Sequence, residues 1–455
     1  MRPRPPAAER RAVRRAGLAA LAAAALALSA ACGTRLPASA FSGRPTATAP
    51  TAAPIKIGIV TSTTSPVGGS TFIGPRDGAE AYLAMVDAKG GVNGHPIQVI
   101  TCDDGGSGVG NTSCVHKLID QDGVFALVAT TSLDYAGAPY VSSKGVPDVG
   151  GQPIGTAYDT YPHLYGIYGS DEPRQGTPGW GGTLYGGTEV YRYFKEALGA
   201  RTAAVVYYDQ ADSARYAGQI MAGLRTEGYR VVPEQVDFAL PNFPAVAADL
   251  RSHGVDLLLD AMDTHGNAQL CRAMQDAGVK VAAKVTNVQN WDSSVPSDYS
   301  DAPGCRNALW VTGSSRDYDD SSNAAVRAFR SGMAAYAAKN GGSPAGLSQW
   351  QLEGWAAAMW LTDAMSGCPS ADSAGTGPAR ACVERFIQRP QPYDARGLLL
   401  PVSFSRAASP PRTARTCLSV ARWQDSADGG RGGWLPQGPD MTRNCFTVPQ
   451  LPYRP

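Results

Sequence analysis

The feature that most restricts the fold of this chain is a regular alternation of short apolar strands and amphipathic helices. The first strand, IKIGIV (55–60), places Ile55, Ile57 and Ile59 on one face. Apolar residues at helical spacing predict a helix over about 72–89. Next along the chain come the strand PIQVIT, a helix over about 111–120, and the strands VFALVA and VPDVG. This order predicts a parallel sheet covered by helices on both faces.

The same alternation restarts near residue 188, which predicts a second, similar lobe. Its predicted elements are a helix to 198, the strand TAAVVYY, a helix over 213–227, the strand YRVVPEQ, a helix over 243–252, the strand DLLLDAM, a helix over 266–276 and the strand KVAAKVT. Two later helices, over 323–339 and about 351–365, must rejoin one of the lobes. A folded part of about 400 residues also favours two compact lobes over a single core.

The N-terminus has the features of an export signal. Six arginines among the first 15 residues precede an apolar run over 17–31 that is too short to cross a bilayer core of about 30 Å. We expect residues 1–31 to be a signal peptide. The run ends in LSAACG, where bacterial lipoprotein signals place the cysteine that receives lipid, so Cys32 is the expected lipidation site. Cleavage elsewhere would leave Cys32 as a free thiol, which is a liability in an oxidising compartment.

Residues 32–54 are rich in Thr, Ala, Ser and Pro and show no apolar period, which is typical of a tether. The expected location is therefore extracytoplasmic, with the protein anchored by lipid to the outer face of the cell membrane. Beyond Cys32 the chain contains an even number of cysteines, which in an exported protein predicts disulfides. The simplest connectivity joins neighbours: Cys102 with Cys114, Cys271 with Cys305, Cys368 with Cys382, and Cys417 with Cys445.

Several functional classes lack their sequence signals. The formal net charge of +1 provides no basic field for nucleic acid. No GxSxG, HExxH or GxxxxGK[ST] motif is present, and no closely spaced Cys/His set suggests a metal site. GVGNTS, from Gly108, resembles a glycine fingerprint only loosely, and we interpret it as a flexible connection. We expect no catalytic residue, no cofactor and no metal.

Specific segments resemble a known family. DAKGGVNG (87–94), followed by a strand and an acidic pair, is the most specific of them, and KLIDQDGVFALVATTS and DLLLDAMDTHGNAQLCRAMQDAGVK continue the match. With these segments the chain resembles the branched-chain amino-acid (leucine-binding-like) family of substrate-binding proteins of ABC transporters, from about residue 55 to 446. The closing segment is longer and richer in Pro and Arg than that family's pattern.

The resemblance implies an α/β fold of periplasmic-binding-protein type 1. Two doubly wound parallel-sheet lobes would be joined by three crossovers, with the ligand cleft between them. The crossovers are expected near 168–172, 311–316 and 397–401. Lobe I is then expected to comprise 55–170 and 315–398, and lobe II 171–314 and 399–450.

First-lobe ligand contacts are expected in loops after the strands, because ligands of open α/β sheets bind outside the carboxyl ends of strands. Thr130, Thr131 and Ser132 offer hydroxyl and backbone donors suited to a carboxylate or other oxygen of the ligand. The same residues are also good helix caps. Gly151 and Gln152 occupy the family's second contact loop, where an ordinary turn is the alternative.

The second lobe departs from the family pattern. Amino-acid binders of the family hold the ligand ammonium with an acidic residue, whereas this chain has Gln289 and Asn290 near that place. An amide does not neutralise an ammonium, and a buried unpaired charge is costly. Asp263 and Asp212 follow other strands and are candidate substitutes, although helix caps or solvated turns explain them equally well. Candidates for an apolar or stacking wall, with core packing as the alternative, are Phe72, Tyr208 and Trp291.

These observations predict a monomeric solute-binding protein that closes its two lobes around a small polar molecule, an amino acid or an amide-like compound. Its expected partners are the small-molecule ligand, the permease subunits of an ABC importer and, through the lipid anchor, the membrane; nucleic acid is excluded. The alternative is a sensing receptor whose closed form is recognised by a signalling partner. A purely structural surface protein would show no saturable binding of small molecules.

Overall fold

The computed structural model describes residues 52–66, 69–340, 346–369, 377–404 and 407–455. Within these ranges, the side chains of residues 69–71 and 212 lie outside the description. The predicted signal peptide, Cys32 and residues 33–51 of the tether also lie outside the described residues. Among the helices that the structure describes, none combines the length and the apolar character needed to cross a membrane.

The first lobe is built on a sheet of five parallel strands in the order β2-β1-β3-β4-β5. The strands are β1 (Ile55–Thr61), β2 (Ile97–Asp103), β3 (Ala126–Val128), β4 (Asp148–Gly151) and β5 (Leu164–Gly166). The helices between them are α1 (Gly69–Asp87), α2 (Gly108–His116), α3 (Ala138–Ser143) and α4 (Ala157–Thr160). Alternate residues of β1 pack on opposite faces: Ile57 belongs to one apolar cluster, and Val60 packs in another with Val141 of α3.

The second lobe is built on a sheet of seven strands in the order β14-β13-β11-β10-β9-β7-β8. The strands of its parallel part are β7 (Thr202–Tyr208), β8 (Arg230–Val236), β9 (Leu257–Ala261), β10 (Ala283–Thr286) and β11 (Leu309–Gly313). Two antiparallel strands, β13 (Ser419–Gln424) and β14 (Gly433–Pro436), extend one edge. The helices of this lobe are α5 (Glu189–Leu198), α6 (Ala211–Thr226), α7 (Phe243–His253), α8 (Thr264–Asp276), α9 (Val295–Asp298) and α10 (Pro303–Arg306).

The three remaining helices follow the second lobe in the chain: α11 (Ala324–Lys339), α12 (Gln349–Ser366) and α13 (Arg380–Ile387). Of these, α12 returns to the first sheet and packs on α1 and β4. The two helices approach closely because Gly78 and Gly354 lack side chains. A Cβ on Gly78 would lie 1.9 Å from the carbonyl oxygen of Gln351, and one on Gly354 would lie 2.0 Å from that of Pro75. The apolar helix that the sequence predicts to rejoin one of the lobes therefore packs on the first sheet.

The C-terminal segment that departs from the family pattern contributes to two sheets. Beyond β13 and β14, it forms a three-stranded antiparallel sheet in the order β12-β15-β6. These strands are β6 (Leu184–Gly187), β12 (Thr413–Cys417) and β15 (Cys445–Tyr453). A disulfide between Cys417 and Cys445 joins β12 to β15. All four disulfides of the structure join the neighbours that the sequence predicts.

The chain segments between the sheets lie side by side. Arg316 N donates to Leu398 O at 2.7 Å, and Leu400 N donates to Ser314 O at 2.8 Å, which pairs the second and third crossovers. Ser170 N donates to Ser403 O at 3.2 Å, which ties the first crossover to the third. The predicted α/β fold of parallel sheets in two lobes is confirmed. The lobe boundaries given above stay a prediction.

One local interpretation is wrong. GVGNTS is not a flexible connection, because Gly108 begins α2 and the segment forms the first turns of that helix. The side chain of Ser107 accepts a hydrogen bond from Gly110 N, which satisfies one of the free amides at the helix start. The cap compensates for the low helix propensity of the two glycines.

Candidate functional site

The loops after the parallel strands of the two sheets are the candidate site, since ligands of open α/β sheets bind outside the carboxyl ends of strands. In the first lobe, the hydroxyl groups expected to face a ligand are bonded within the protein. Thr130 Oγ1 donates to Asp148 Oδ1 at 3.0 Å, and Thr131 Oγ1 donates to Ala129 O at 2.9 Å. Both threonines are buried. In this conformation neither hydroxyl hydrogen is available to a ligand.

Ser132 belongs to a buried hydrogen-bond network around Asp104. Asp104 is not among the ligand contacts predicted from the sequence. Ser132 Oγ donates to Asp104 Oδ2 at 2.7 Å, and Asn111 Nδ2 donates to the same oxygen at 3.0 Å. Ser62 Oγ donates to Asp104 Oδ1 at 2.6 Å, and Gly106 N at 2.9 Å. This carboxylate thus joins the loops after β1, β2 and β3. The only sequence signal for it is the acidic pair at the end of β2.

Asp148 is a second buried carboxylate in the same region. It receives hydrogen bonds from Thr130, from Tyr135 at 2.7 Å and from Tyr158 at 2.9 Å. Burial raises its pKa to about 6, and the three hydroxyl donors oppose that rise. Tyr158 also explains why residue 151 is glycine, because a Cβ there would lie 1.6 Å from the tyrosine hydroxyl oxygen.

Gln152 is buried and points toward α12. Its Nε2 donates to Glu353 Oε2 at 2.8 Å, while its backbone N donates to Thr130 O at 2.8 Å. The backbone therefore places the two predicted first-lobe contact loops next to each other. Phe72 is also buried and lies 5.8 Å, ring centroid to ring centroid, from Trp350.

In the second lobe, Asp263 is the N-cap of α8. Its Oδ1 accepts from Gly266 N at 2.8 Å and from Tyr208 Oη at 3.0 Å, and the residue is half-buried. Gln289 is half-buried, and its backbone N donates to Asn287 Oδ1 at 3.0 Å. The side chain of Asp212 lies outside the described residues.

Asn290 and Trp291, in the loop after β10, are buried. Asn290 Nδ2 donates to Thr286 Oγ1 at 2.8 Å, and Trp291 Nε1 donates to Asp317 Oδ1 at 3.2 Å. Backbone hydrogen bonds from Gln349 N to Trp291 O at 2.8 Å and from Ser293 N to Leu347 O at 3.0 Å join this loop to the start of α12. The second lobe thus contacts the first through this loop, where amino-acid binders of the family are expected to have the acidic residue that holds the ligand's ammonium.

A buried ion pair supports the carboxyl edge of the second sheet. Lys284 Nζ lies 3.0 Å from Asp260 Oδ2, and both side chains are fully buried. Asn267 of α8 completes the group, with its Nδ2 donating to Asp260 Oδ1 at 2.9 Å and its Oδ1 accepting from Lys284. Each polar atom of the pair has a partner, as a buried charge requires.

The carboxyl ends of β9, β10 and β11 border a cavity of about 240 Å³. It is lined by Tyr168, Val190, Tyr191, Tyr216, Ile220, Leu259, Asp260, Val285, Thr286, Asn287, Val288, Thr312, Gly313 and Ser314. Most of these side chains are apolar or aromatic, and the one charged residue among them, Asp260, is paired with Lys284. The cavity lies against the first crossover at Tyr168 and the second at Ser314. None of its lining residues is among the ligand contacts predicted from the sequence, although Tyr168 and Ser314 lie in predicted crossovers. Helices α5 and α6 supply four of the lining residues.

A second cavity of about 240 Å³ lies next to the second crossover and β13. Three charged side chains in its wall are paired: the guanidinium of Arg316 lies 2.8 Å from Asp440 Oδ2 and 3.3 Å from Asp320 Oδ2. Asp317, also in the wall, bonds with Trp291. Among the described residues, no group of three or more His, Cys, Asp or Glu side chains is arranged to hold a metal ion.

Residues 54–430 match the family model of the periplasmic binding protein. No curated protein sequence matches the chain. Similar solved structures include an ABC transporter substrate-binding protein from Sphaerobacter thermophilus, with a TM-score of 0.63 and 16% identity over 85% of this chain and 98% of that one.

Two further similar structures are described as binding proteins for leucine or branched-chain amino acids. A leucine binding protein from Thermotoga maritima has a TM-score of 0.60 and 16% identity, covering 85% of this chain and 99% of that one. A branched-chain amino acid transporter substrate binding protein from Streptococcus pneumoniae, in complex with isoleucine, has a TM-score of 0.59 and 15% identity, covering 84% and 100%. At these identities the structural likeness establishes the fold.

Proposed function

The chain belongs to the periplasmic binding protein family, and we propose that it is an extracytoplasmic lipoprotein that captures a small polar ligand and delivers it to an ABC importer. The observation that carries this proposal is the cavity at the carboxyl ends of β9, β10 and β11. Its wall includes Tyr168 of the first predicted crossover and Ser314 of the second. A ligand in this cavity would contact the segments whose conformation sets the angle between the lobes, so it would favour the lobe arrangement that completes those contacts.

The wall restricts the chemistry of the ligand. Its aromatic and aliphatic residues suit an apolar portion, and Thr286 and Asn287 offer neutral hydrogen-bonding groups at the strand ends. A charged group would be unpaired there, because the carboxylate of Asp260 is already bonded to Lys284 and Asn267. We propose an amino acid or amide-like compound whose apolar part enters the cavity. Its ammonium, where present, would pair with the half-buried Asp263, which follows β9 outside the cavity wall.

A thermal-shift screen tests the function directly. The purified protein would be heated with branched-chain and aromatic amino acids, with their amides and with small acids. A ligand at about 100 times its dissociation constant adds roughly 2.7 kcal/mol of stability. The expected result is a raised unfolding temperature with one of these classes. No shift with any class, together with no binding by calorimetry, would contradict the solute-binding proposal for these compounds.

A matched pair of substitutions tests the cavity. Val190 is half-buried on α5 and lines the cavity, so Val190→Trp fills space that the ligand needs. Val109, on α2 of the first lobe, is 82% exposed, and Val109→Trp serves as the control. Val190→Trp should abolish the ligand-induced shift while the control keeps it. Unchanged binding by Val190→Trp would place the ligand elsewhere and leave the solute-binding function standing.

The lipid anchor is tested through Cys32, which lies outside the described residues. Cys32→Ala should release the protein from the membrane into the medium without changing its ligand affinity. Mass spectrometry of the wild-type protein should find the lipid on the mature N-terminal cysteine. An unmodified, freely secreted wild-type protein would contradict the lipoprotein form.

A further inference from the structure

The carboxylate of Glu353 lies where four parts of the molecule meet. The residue is on α12 and is fully buried. Ser315 Oγ donates to its Oε1 at 2.6 Å, and Gln152 Nε2 donates to its Oε2 at 2.8 Å. The hydroxyl oxygen of Tyr168 lies 3.1 Å from Oε1 and 3.0 Å from Oε2. These donors come from the loop after β4, the first crossover and the second crossover.

Gln349, one turn earlier on α12, strengthens the same joint. Its Nε2 lies 2.6 Å from Ser315 Oγ and 2.7 Å from the carbonyl oxygen of Arg316. Because Ser315 also forms a β-bridge with Leu399, the third crossover is held indirectly. Two side chains of one helix therefore fix the second crossover and, through it, the third.

The partners of Glu353 in the described part of the chain are neutral, in contrast to those of Asp260. Burial raises its pKa to about 7, although the hydrogen bonds from Ser315, Gln152 and Tyr168 oppose the rise. Tyr168 is the titratable group in contact with it, and burial, followed by the carboxylate, raises the pKa of that phenol. Other titratable groups on the neighbouring elements are bonded to different partners: Arg76 with Asp77, Glu80 with Tyr336, Asp148 with Tyr135, Arg316 with Asp440, and Asp317 with Trp291.

We infer that Glu353 is a positioning residue that holds the Gln152 loop and the crossovers in one arrangement, and that loss of its proton loosens this joint. The ionised group accepts from all three donors, but these neutral donors only partly offset the cost of burying its charge without a cation. The protonated carboxyl carries no charge and can still donate one hydrogen bond and accept others, so it stays bonded to these partners without that cost.

The consequence for ligand binding rests on the proposed function. Tyr168 lines the candidate cavity and Ser315 follows directly after its wall residue Ser314. A looser joint would leave both less ordered, and a ligand would then have to order them on binding. Solute affinity should therefore fall as the pH rises through neutrality, in an extracytoplasmic setting where the external pH varies.

A ligand-free measurement tests the inference separately from the proposed function. Hydrogen exchange is followed for the amides of Arg316 and Leu400, which bond across the second and third crossovers. Rates at about pH 5.5 and about pH 8.5 are divided by the intrinsic chemical rates, which gives protection factors. In the wild type we expect roughly tenfold lower protection at the alkaline pH, because the closed joint must then bury a charged carboxylate. Equal protection at both pH values would overturn the inference.

Glu353→Gln isolates the carboxylate, since the amide has the same shape and no charge. It should show the high, acid-type protection at both pH values, because the amide is neutral like the protonated carboxyl. Glu234→Gln is the matched control: Glu234, on β8, has a pKa raised to about 8 by burial and by Asp249, and it makes no described hydrogen bond to a crossover. The control should keep the wild-type profile. A pH dependence that survives in Glu353→Gln, or disappears in Glu234→Gln, would also overturn the inference.

Tyr168→Phe provides a second variant in case Glu353→Gln does not fold. It removes one donor to the charged carboxylate and leaves the carboxylate in place. Losing a hydrogen bond to the charged form raises the pKa of an acid. The midpoint of the protection profile should therefore move to higher pH, and a midpoint that stays or moves down would count against the role of Glu353.

Discussion

Acidic side chains are buried at the carboxyl edges of both sheets, but different groups stabilise them. At the first sheet, Asp104 and Asp148 are held by hydroxyl, amide and backbone donors. At the second, Asp260 is paired with the ammonium of Lys284. At the first edge, burial raises the pKa of Asp148 to about 6 against the opposing effect of its neutral donors. The first edge is thus sensitive to pH through Asp148, whereas the second depends on one lysine.

The largest expected effect comes from breaking the ion pair. Lys284→Met leaves the charge of Asp260 buried without a cation, and removing one partner of such a pair typically costs about 3–5 kcal/mol of stability. Urea unfolding of the variant should show this loss. Lys280→Met, at an exposed position shortly before β10, is the control and should change stability by no more than about 0.5 kcal/mol. Equal stability of the two variants would show that Asp260 finds other compensation.

The next effect concerns pH and the first edge. The rise of the pKa of Asp148 from 3.8 to about 6 corresponds to roughly 3 kcal/mol. Between these values the unfolded chain has released the proton and the folded chain still holds it, so stability falls as the pH rises from about 4 to about 6.

Asp148→Asn should flatten this slope in unfolding curves recorded across that range. Part of the slope should remain, because burial and Glu172 also raise the pKa of Asp159 to about 6. A slope identical to that of the wild type would mean that Asp148 is ionised in the folded protein at low pH.

A smaller effect is expected from the network around Asp104. Ser132→Ala removes a donor to Asp104 and an acceptor for Asn111, whose Nδ2 lies 2.8 Å from Ser132 Oγ. The loss should be about 1–2 kcal/mol. Ser143→Ala, which removes an exposed hydroxyl on α3, should cost less than about 0.5 kcal/mol. If Ser132→Ala also loses more ligand affinity than its loss of stability explains, Ser132 contacts the ligand directly.

The smallest effect on stability is expected for Asp263→Asn. Asparagine caps helices about as well as aspartate, so the free energy of unfolding should change by only a few tenths of a kcal/mol. If Asp263 pairs with a ligand ammonium, however, the variant should lose ligand-induced compaction in solution scattering. Compaction and affinity equal to those of the wild type would remove Asp263 from the ligand site.

The sequence by itself determined the alternation of strands and helices up to KVAAKVT, and it made neighbour pairing the simplest of the possible disulfide connectivities. Apolar periodicity is a local property, and each cysteine pair closes a short stretch of chain, so both can be recognised without knowledge of distant contacts. The alternation from IKIGIV to KVAAKVT therefore predicted the two parallel sheets, and TAAVVYY coincides with β7.

Only the tertiary structure decided where the polar side chains at the strand ends point. Thr130, Ser132 and Gln152 have the chemistry of ligand donors, yet their partners Asp148, Asp104 and Glu353 lie 18, 28 and 201 residues away. The cavity wall and the Glu353 joint likewise combine segments that the chain separates widely. A hydrogen bond depends on distances of a few tenths of an ångström, and only the packing of α12 against the first sheet and of α5 and α6 against the second brings these groups together.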